Sequence, residues 1–147
     1  VSSVSRQRRI AAPAEAVWAT LADFGSIARW APPVDHSCLL TAGGDPGTMT
    51  RRVQVGATTL LERVEAWEPP TRLAYRLEGL PPVLGRVRTE WCLVPVGDGT
   101  EAIVTTTIEP GRRPPQRLVA RIAARRLGRT ADRLLAGLAS HHEATRV

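Results

Sequence analysis

The residues best suited to chemistry are few and lie in strand-like runs. Arg51 and Glu62 each fall in an alternating segment, and alternation places both on the inward face of neighbouring strands. A charge facing an apolar interior is costly unless it is paired or hydrogen-bonded. The pair therefore has two readings. It orients the polar end of a ligand, such as a carboxylate or hydroxyl, or it is a structural ion pair at the sheet edge. A one-residue slip in register would turn both side chains outward. Tyr75 lies in the next alternating run. It can donate a hydrogen bond or a proton, which makes Tyr75 and Glu62 the weak candidates for a catalytic role. It can equally fill the core with its hydroxyl satisfied.

Other chemistry has less to build on. His36 is the one histidine outside the C-terminal segment, and no Ser, Cys or acidic partner stands at a recognisable spacing from it. The two cysteines, Cys38 and Cys92, lack CxxC spacing, and three histidines in all do not complete a zinc signature. Both cysteines read as buried, reduced thiols. There is no phosphate-binding glycine motif, nucleophile elbow or HExxH. The glycines at 42–47 read as a hairpin loop with no helix behind them to bind phosphate. Neither a cofactor nor a metal is expected.

These side chains must be positioned by a regular framework. Residues 5–10 predict a short strand. Pro13 opens a helical stretch with Val17, Trp18 and Leu21 on one face, and 23–30 predict a second short helix with Asp23 as its N-cap. Strands follow at 34–41, 48–55, 58–67, 72–78, 87–95 and 100–109, separated by turn signals such as Gly56-Ala57, Pro69-Pro70 and Gly97-Asp98-Gly99. The loop at 79–85 is apolar and carries two prolines. It reads either as a gate at a cavity mouth or as ordinary packing under a helix. From 114 to about 142, Leu118, Ile122, Leu127, Ala131, Leu134, Leu135 and Leu138 recur at helical spacing. Gly128 and Gly137 interrupt that helix, each at a cost of about 1 kcal/mol against alanine. Short connections make the sheet antiparallel, and the terminal helix carries the only apolar stripe long enough to cover it.

The chain of 147 residues suits a single domain over 1–147, and its 43% apolar content excludes a disordered chain. No apolar run reaches the roughly 20 residues that span a membrane, and the polar, arginine-bearing start has no signal-like apolar region. A cytoplasmic protein is expected. All 20 basic residues are arginine, in keeping with a GC-rich coding bias. Residues 112–147 hold nine arginines against Asp132 and Glu143, a charge of +7, while 1–111 carry −1. Arg117, Arg121, Arg125, Arg129 and Arg133 recur every four residues. That ridge is either a solvated face or a surface for an anionic membrane or an acidic protein. The lack of basic–aromatic interleaving points away from nucleic acid. A monomer or weak dimer is expected.

Several local motifs carry a resemblance. They are Ala12-Pro13-Ala14-Glu15-Ala16-Val17-Trp18, Leu21-Ala22-Asp23-Phe24 and Trp30-Ala31-Pro32. Gly47, Arg51, Glu62-Arg63-Val64 with Pro69-Pro70, and the strand after Asp98-Gly99-Thr100 complete them. Together with the element order, these resemble the START-like (SRPBCC) helix-grip superfamily, and most closely its bacterial polyketide cyclase/dehydrase group. The resemblance implies an α+β helix-grip fold. A curved seven-stranded antiparallel sheet would wrap around a long C-terminal helix, with two short helices after the first strand. It also implies a hydrophobic cavity between sheet and helix. Trp30, Met49, Arg51, Val53, Leu60, Glu62, Val64, Tyr75, Val87 and Trp91 are the expected ligand-binding residues, mostly apolar with a few oriented polar atoms. The leading expectation is a binder or carrier of a hydrophobic small molecule, lipid or polyketide-like. The alternatives are a polyketide cyclase, aromatase or dehydratase, and an accessory interaction protein that works through the arginine-rich helix.

Overall fold

The structure is a computed structural model. It describes residues 2–41, 44–110 and 114–144, with the side chains of 114–117 and 144 outside the description. Seven strands form one open antiparallel sheet: β1 (Ser2–Ile10), β2 (His36–Leu39), β3 (Thr50–Val55), β4 (Thr58–Glu68), β5 (Arg72–Glu78), β6 (Arg86–Val96) and β7 (Gly99–Glu109). Their order is β1-β7-β6-β5-β4-β3-β2. Consecutive strands from β2 to β7 are neighbours, as short hairpin connections require. The first strand closes the order by pairing with the last, Ser2 opposite Ile108 and Ile10 opposite Thr100.

Between β1 and β2 lie helix α1 (Ala14–Ala22) and a 3₁₀ turn (Phe24–Arg29). Val17, Trp18 and Leu21 are buried as the periodicity predicts, and Trp18 packs edge-on against Trp67 of β4. Two details differ from expectation. Pro13 sits at the extended N-cap position, so α1 begins one residue later. Asp23 makes no capping bond; its carboxylate lies 3.9 Å from Arg29 instead.

Helix α2 (Pro114–Ala144) crosses the inner face of the sheet over β1 and β7. Its two internal glycines lie at close approaches to other backbone and side chains. A Cβ on Gly137 would run into the Trp30 carbonyl, and one on Gly128 would lie 2.9 Å from Val4. The helix-propensity cost is thus offset by close packing. Ala131, Leu135, Leu138 and Ala139 of α2 join the main core with Trp91, Leu73, Val104 and Phe24. Leu118 and Ile122 do not follow the expected stripe and are 61% and 51% exposed. At 3.6 residues per turn they fall on the side of Arg125 and Arg129, while Ala120 and Leu127 face the smaller cluster around Leu84, Val87 and Ile108.

The cysteines also depart from expectation. Cys38 is exposed and Cys92 only half-buried. Cys38 lies on β2, an edge strand paired with β3 alone, and alternates with Ser37, which turns to the 3₁₀ turn and bonds Gly25 and Ala28. The outer face of the sheet carries cross-strand ion pairs such as Arg63–Glu78 and Arg88–Glu65, whose exposure to solvent screens them and leaves them of little net worth. No helix among the described residues is long and apolar enough to cross a membrane.

Candidate functional site

The register of β3 and β4 sets Arg51 directly opposite Glu62. Directly opposed side chains start about 5 Å apart, so the two reach each other without strain. Arg51 Nε donates to Glu62 Oε1 at 2.7 Å, and Arg51 Nη1 donates to the Phe24 carbonyl at 3.0 Å. The guanidinium carbon sits 3.8 Å from the centre of the Phe24 ring and 4.7 Å from that of Tyr75. Both partners are nearly sealed from solvent, with side chains 3% and 9% exposed. Arg51 thus ties the turn after α1 to the sheet, while its charge is balanced by a carboxylate, a carbonyl and two ring faces.

Tyr75, on β5, stands opposite Val64 on one side and Thr89 on the other. Its hydroxyl accepts a hydrogen bond from Trp91 Nε1 at 3.2 Å, and the Arg51 guanidinium lies over its ring. Both neighbours are donors, so the tyrosine proton has no acceptor among the described residues. Burial first, then the nearby Glu62 charge, pushes the Tyr75 pKa up to about 12. At neutral pH the group is a hydrogen-bond donor and not a base.

A pocket of about 220 Å³ lies between these strands and α2. Val53, Leu60, Leu77 and Val104 line it from the sheet, and Leu127, Ala131 and Leu134 from the helix. Its polar edge is Glu62, Tyr75, Thr89, Thr106 and Thr130. Thr89 and Thr106 hydrogen-bond each other across β6 and β7 at 3.1 Å. Leu80 and Leu127 also line a second, shallower groove with Pro81, Val83, Leu84, Val119, Ile122, Ala123 and Arg126. The 79–85 loop therefore packs against α2 at the place where pocket and groove meet.

Of the residues named from sequence, Val53, Leu60, Glu62 and Tyr75 line the pocket. Arg51 stands behind Glu62 and Tyr75. Trp91 and Val64 are buried in the core, with Trp30 packed edge-on against Trp91 at 6.0 Å. The Trp30 indole N–H is buried with no partner in the described residues. Met49 is half-buried against the same core, and Val87 belongs to the smaller cluster under Leu84. His36 lies exposed on β2, away from the pocket. Sequence reasoning missed Thr106, Val104 and the helix residues Leu127, Thr130 and Leu134. Alternation along β7 carried the signal for the first two, since Ala102, Val104, Thr106 and Ile108 share the buried face. Among the described residues no cluster of three or more His, Cys, Asp or Glu is placed to hold a metal.

An open seven-stranded antiparallel sheet gripping a C-terminal helix defines the helix-grip class. The chain belongs to the polyketide cyclase / dehydrase and lipid transport family, whose model matches residues 2–143. Among solved structures it is similar to the Zhui aromatase/cyclase from Streptomyces sp. R1128, with a TM-score of 0.81 and 21% identity over 97% of this chain and 93% of that one. It is similar to a START superfamily protein from Mycobacterium smegmatis, with a TM-score of 0.77 and 21% identity over 97% and 98% of the two chains. It also matches half of the di-domain ARO/CYC BexL from the BE-7585A biosynthetic pathway, with a TM-score of 0.72, 20% identity and 97% of this chain covered. No curated protein matches the sequence. At these identities the structural likeness speaks for the fold.

Proposed function

We propose that the protein binds an oxygen-bearing apolar small molecule, lipid-like or polyketide-like, in the pocket between sheet and α2. The observation that carries this reading is that Tyr75, whose hydroxyl only accepts a hydrogen bond among the described residues, is part of the wall of a largely apolar pocket. Tyr75 would donate to a ligand carbonyl or hydroxyl, and Glu62 would accept from a ligand hydroxyl, with Arg51 holding both in place. The volume of about 220 Å³ exceeds the ~150 Å³ cavity that takes up benzene and falls below the ~300–1,000 Å³ of drug-sized sites. A ligand of one or two rings, or a short acyl chain, fits that space without opening the mouth.

A panel of aromatic and acyl compounds tests this by displacement of a fluorescent probe and by native mass spectrometry. Oxygenated members should bind more tightly than hydrocarbons of the same shape. If no member binds, the reading fails.

A second reading, a cyclase or dehydratase, is favoured by the aromatase/cyclase neighbours and the family's description. Tyr75 and Glu62 would then assist proton transfer. It ranks second because a tyrosine with a pKa of about 12 gives up its proton reluctantly, and efficient acid catalysis wants a pKa near the working pH. Loss of turnover in Tyr75→Phe with ligand binding retained would favour the enzyme.

A further inference from the structure

We infer that the outer face of the first half of α2, together with the 79–85 loop, docks onto an anionic phospholipid bilayer. Leu118, Val119 and Ile122 are 61%, 38% and 51% exposed, an unusual cluster for a helix whose other face is packed. The loop sets Pro81 and Val83 beside Val119 and Ile122, and an apolar groove runs between the two elements. Arg121, Arg125, Arg126 and Arg129 are exposed around this patch, and none of them has an ion-pair partner among the described residues. Asp132, the only acid of α2 before Glu143, lies on a later turn and faces Arg6 of β1 at 3.4 Å. Arg117, which continues the spacing, lies outside the described side chains.

The arrangement fits a bilayer better than an acidic protein or a nucleic acid. On one side of α2 the sequence runs Leu118, Ile122, Arg125, Arg129, so apolar side chains lead and guanidinium groups follow. Apolar side chains can enter the headgroup boundary while arginines stay with the phosphates, the pattern of helices that lie in a membrane interface. A soluble acidic partner would satisfy the arginines and leave the exposed leucine and isoleucine with no role. The groove and the inner pocket share Leu80 and Leu127 in their walls, so a docked bilayer would lie beside the pocket. The inference does not depend on the pocket being filled.

Vesicle co-sedimentation tests it with the intact protein. One set of vesicles is phosphatidylcholine alone, and the other contains one part phosphatidylglycerol to two of phosphatidylcholine. Binding is expected to the anionic vesicles only, weakening as salt rises. Arg121→Gln, Arg125→Gln and Arg129→Gln together should weaken it roughly a hundredfold, about fivefold per arginine. Leu118→Ser with Ile122→Ser should weaken it roughly tenfold. All five side chains are exposed, so melting temperatures should stay at the wild-type value. Equal binding to both vesicle types, or to neither, overturns the inference. So does equal affinity for soluble polyglutamate, or full binding by the leucine–isoleucine variant, since either would assign the arginines to a soluble acidic partner. Ligand binding measured without vesicles reports separately on the pocket.

Discussion

Replacing Glu62 by methionine leaves the Arg51 guanidinium buried with no counter-charge. Breaking a buried pair by removing one partner costs about 3–5 kcal/mol. Arg51 would keep its bond to the Phe24 carbonyl and its place over the Phe24 ring, which sets the cost at the lower end, about 3 kcal/mol. For a chain of this length that corresponds to a drop of about 10 °C in Tm. Arg51→Met strands the carboxylate and also removes the donor from the Phe24 carbonyl, so it should cost more, about 4 kcal/mol. The double variant removes both charges and fills the space with apolar side chains. Its remaining penalty is the unpaired carbonyl, about 1–2 kcal/mol. On these figures the two substitutions should be non-additive by about 5 kcal/mol. Urea unfolding of all four proteins, followed by circular dichroism, measures this directly. Additivity within about 0.5 kcal/mol, or a cost below about 1 kcal/mol for Glu62→Met, would refute the reasoning that the pair is buried and mutually dependent.

Gly137→Ala gains helix propensity yet should destabilise by about 2 kcal/mol or more, because the added Cβ runs into the Trp30 backbone; Gly128→Ala, which meets only the side chains of Val4 and Arg6, should cost less on the same thermal melt. His142, at the end of α2, is bonded to Thr20 of α1 at 3.0 Å, and burial followed by the charge of His141 lowers its pKa from 6.5. Its folded pKa lies below the unfolded one, so the unfolded chain takes up the proton first and stability should fall as pH drops below about 6.5. Tm measured from pH 7.5 to 5 should show this decline, and His142→Gln should flatten it. Tyr75→Phe should reduce the preference for 2-naphthol over naphthalene by about three- to tenfold, the worth of one neutral hydrogen bond. Taking the ratio of the two affinities cancels the separate penalty of leaving the Trp91 indole N–H without its acceptor.

The framework was legible because it rests on periodicity and punctuation. The strand 72–78 was read at its true limits, since Leu73, Tyr75 and Leu77 alternate between Pro69-Pro70 and Gly79. Arg51 and Glu62 were found together because each occupies an alternating position in adjacent runs. Their mutual ion pair was one of two readings, and only the cross-strand register, which sets them directly opposite, decides that the bond forms. The donor surplus at Tyr75 was invisible for a related reason. It arises from Trp91, sixteen residues away, reaching across the β5–β6 pair. On α2, helical spacing identified an apolar face but merged two of them. Leu135 and Leu138 face the core, while Leu118 and Ile122 lie on the arginine side, and only the position of β1 and β7 decides which face is covered. Gly137 read as a defect because its partner, the Trp30 backbone, is far away in the chain.

The central claim is that the pocket accepts an apolar ligand whose oxygen meets Tyr75. A crystal structure of the protein saturated with 2-naphthol tests it most directly. The rings should lie between Leu60, Leu77 and Leu134, with the naphthol oxygen within hydrogen-bonding distance of the Tyr75 hydroxyl. An empty pocket at saturating ligand, or an oxygen turned away from Tyr75, would contradict it.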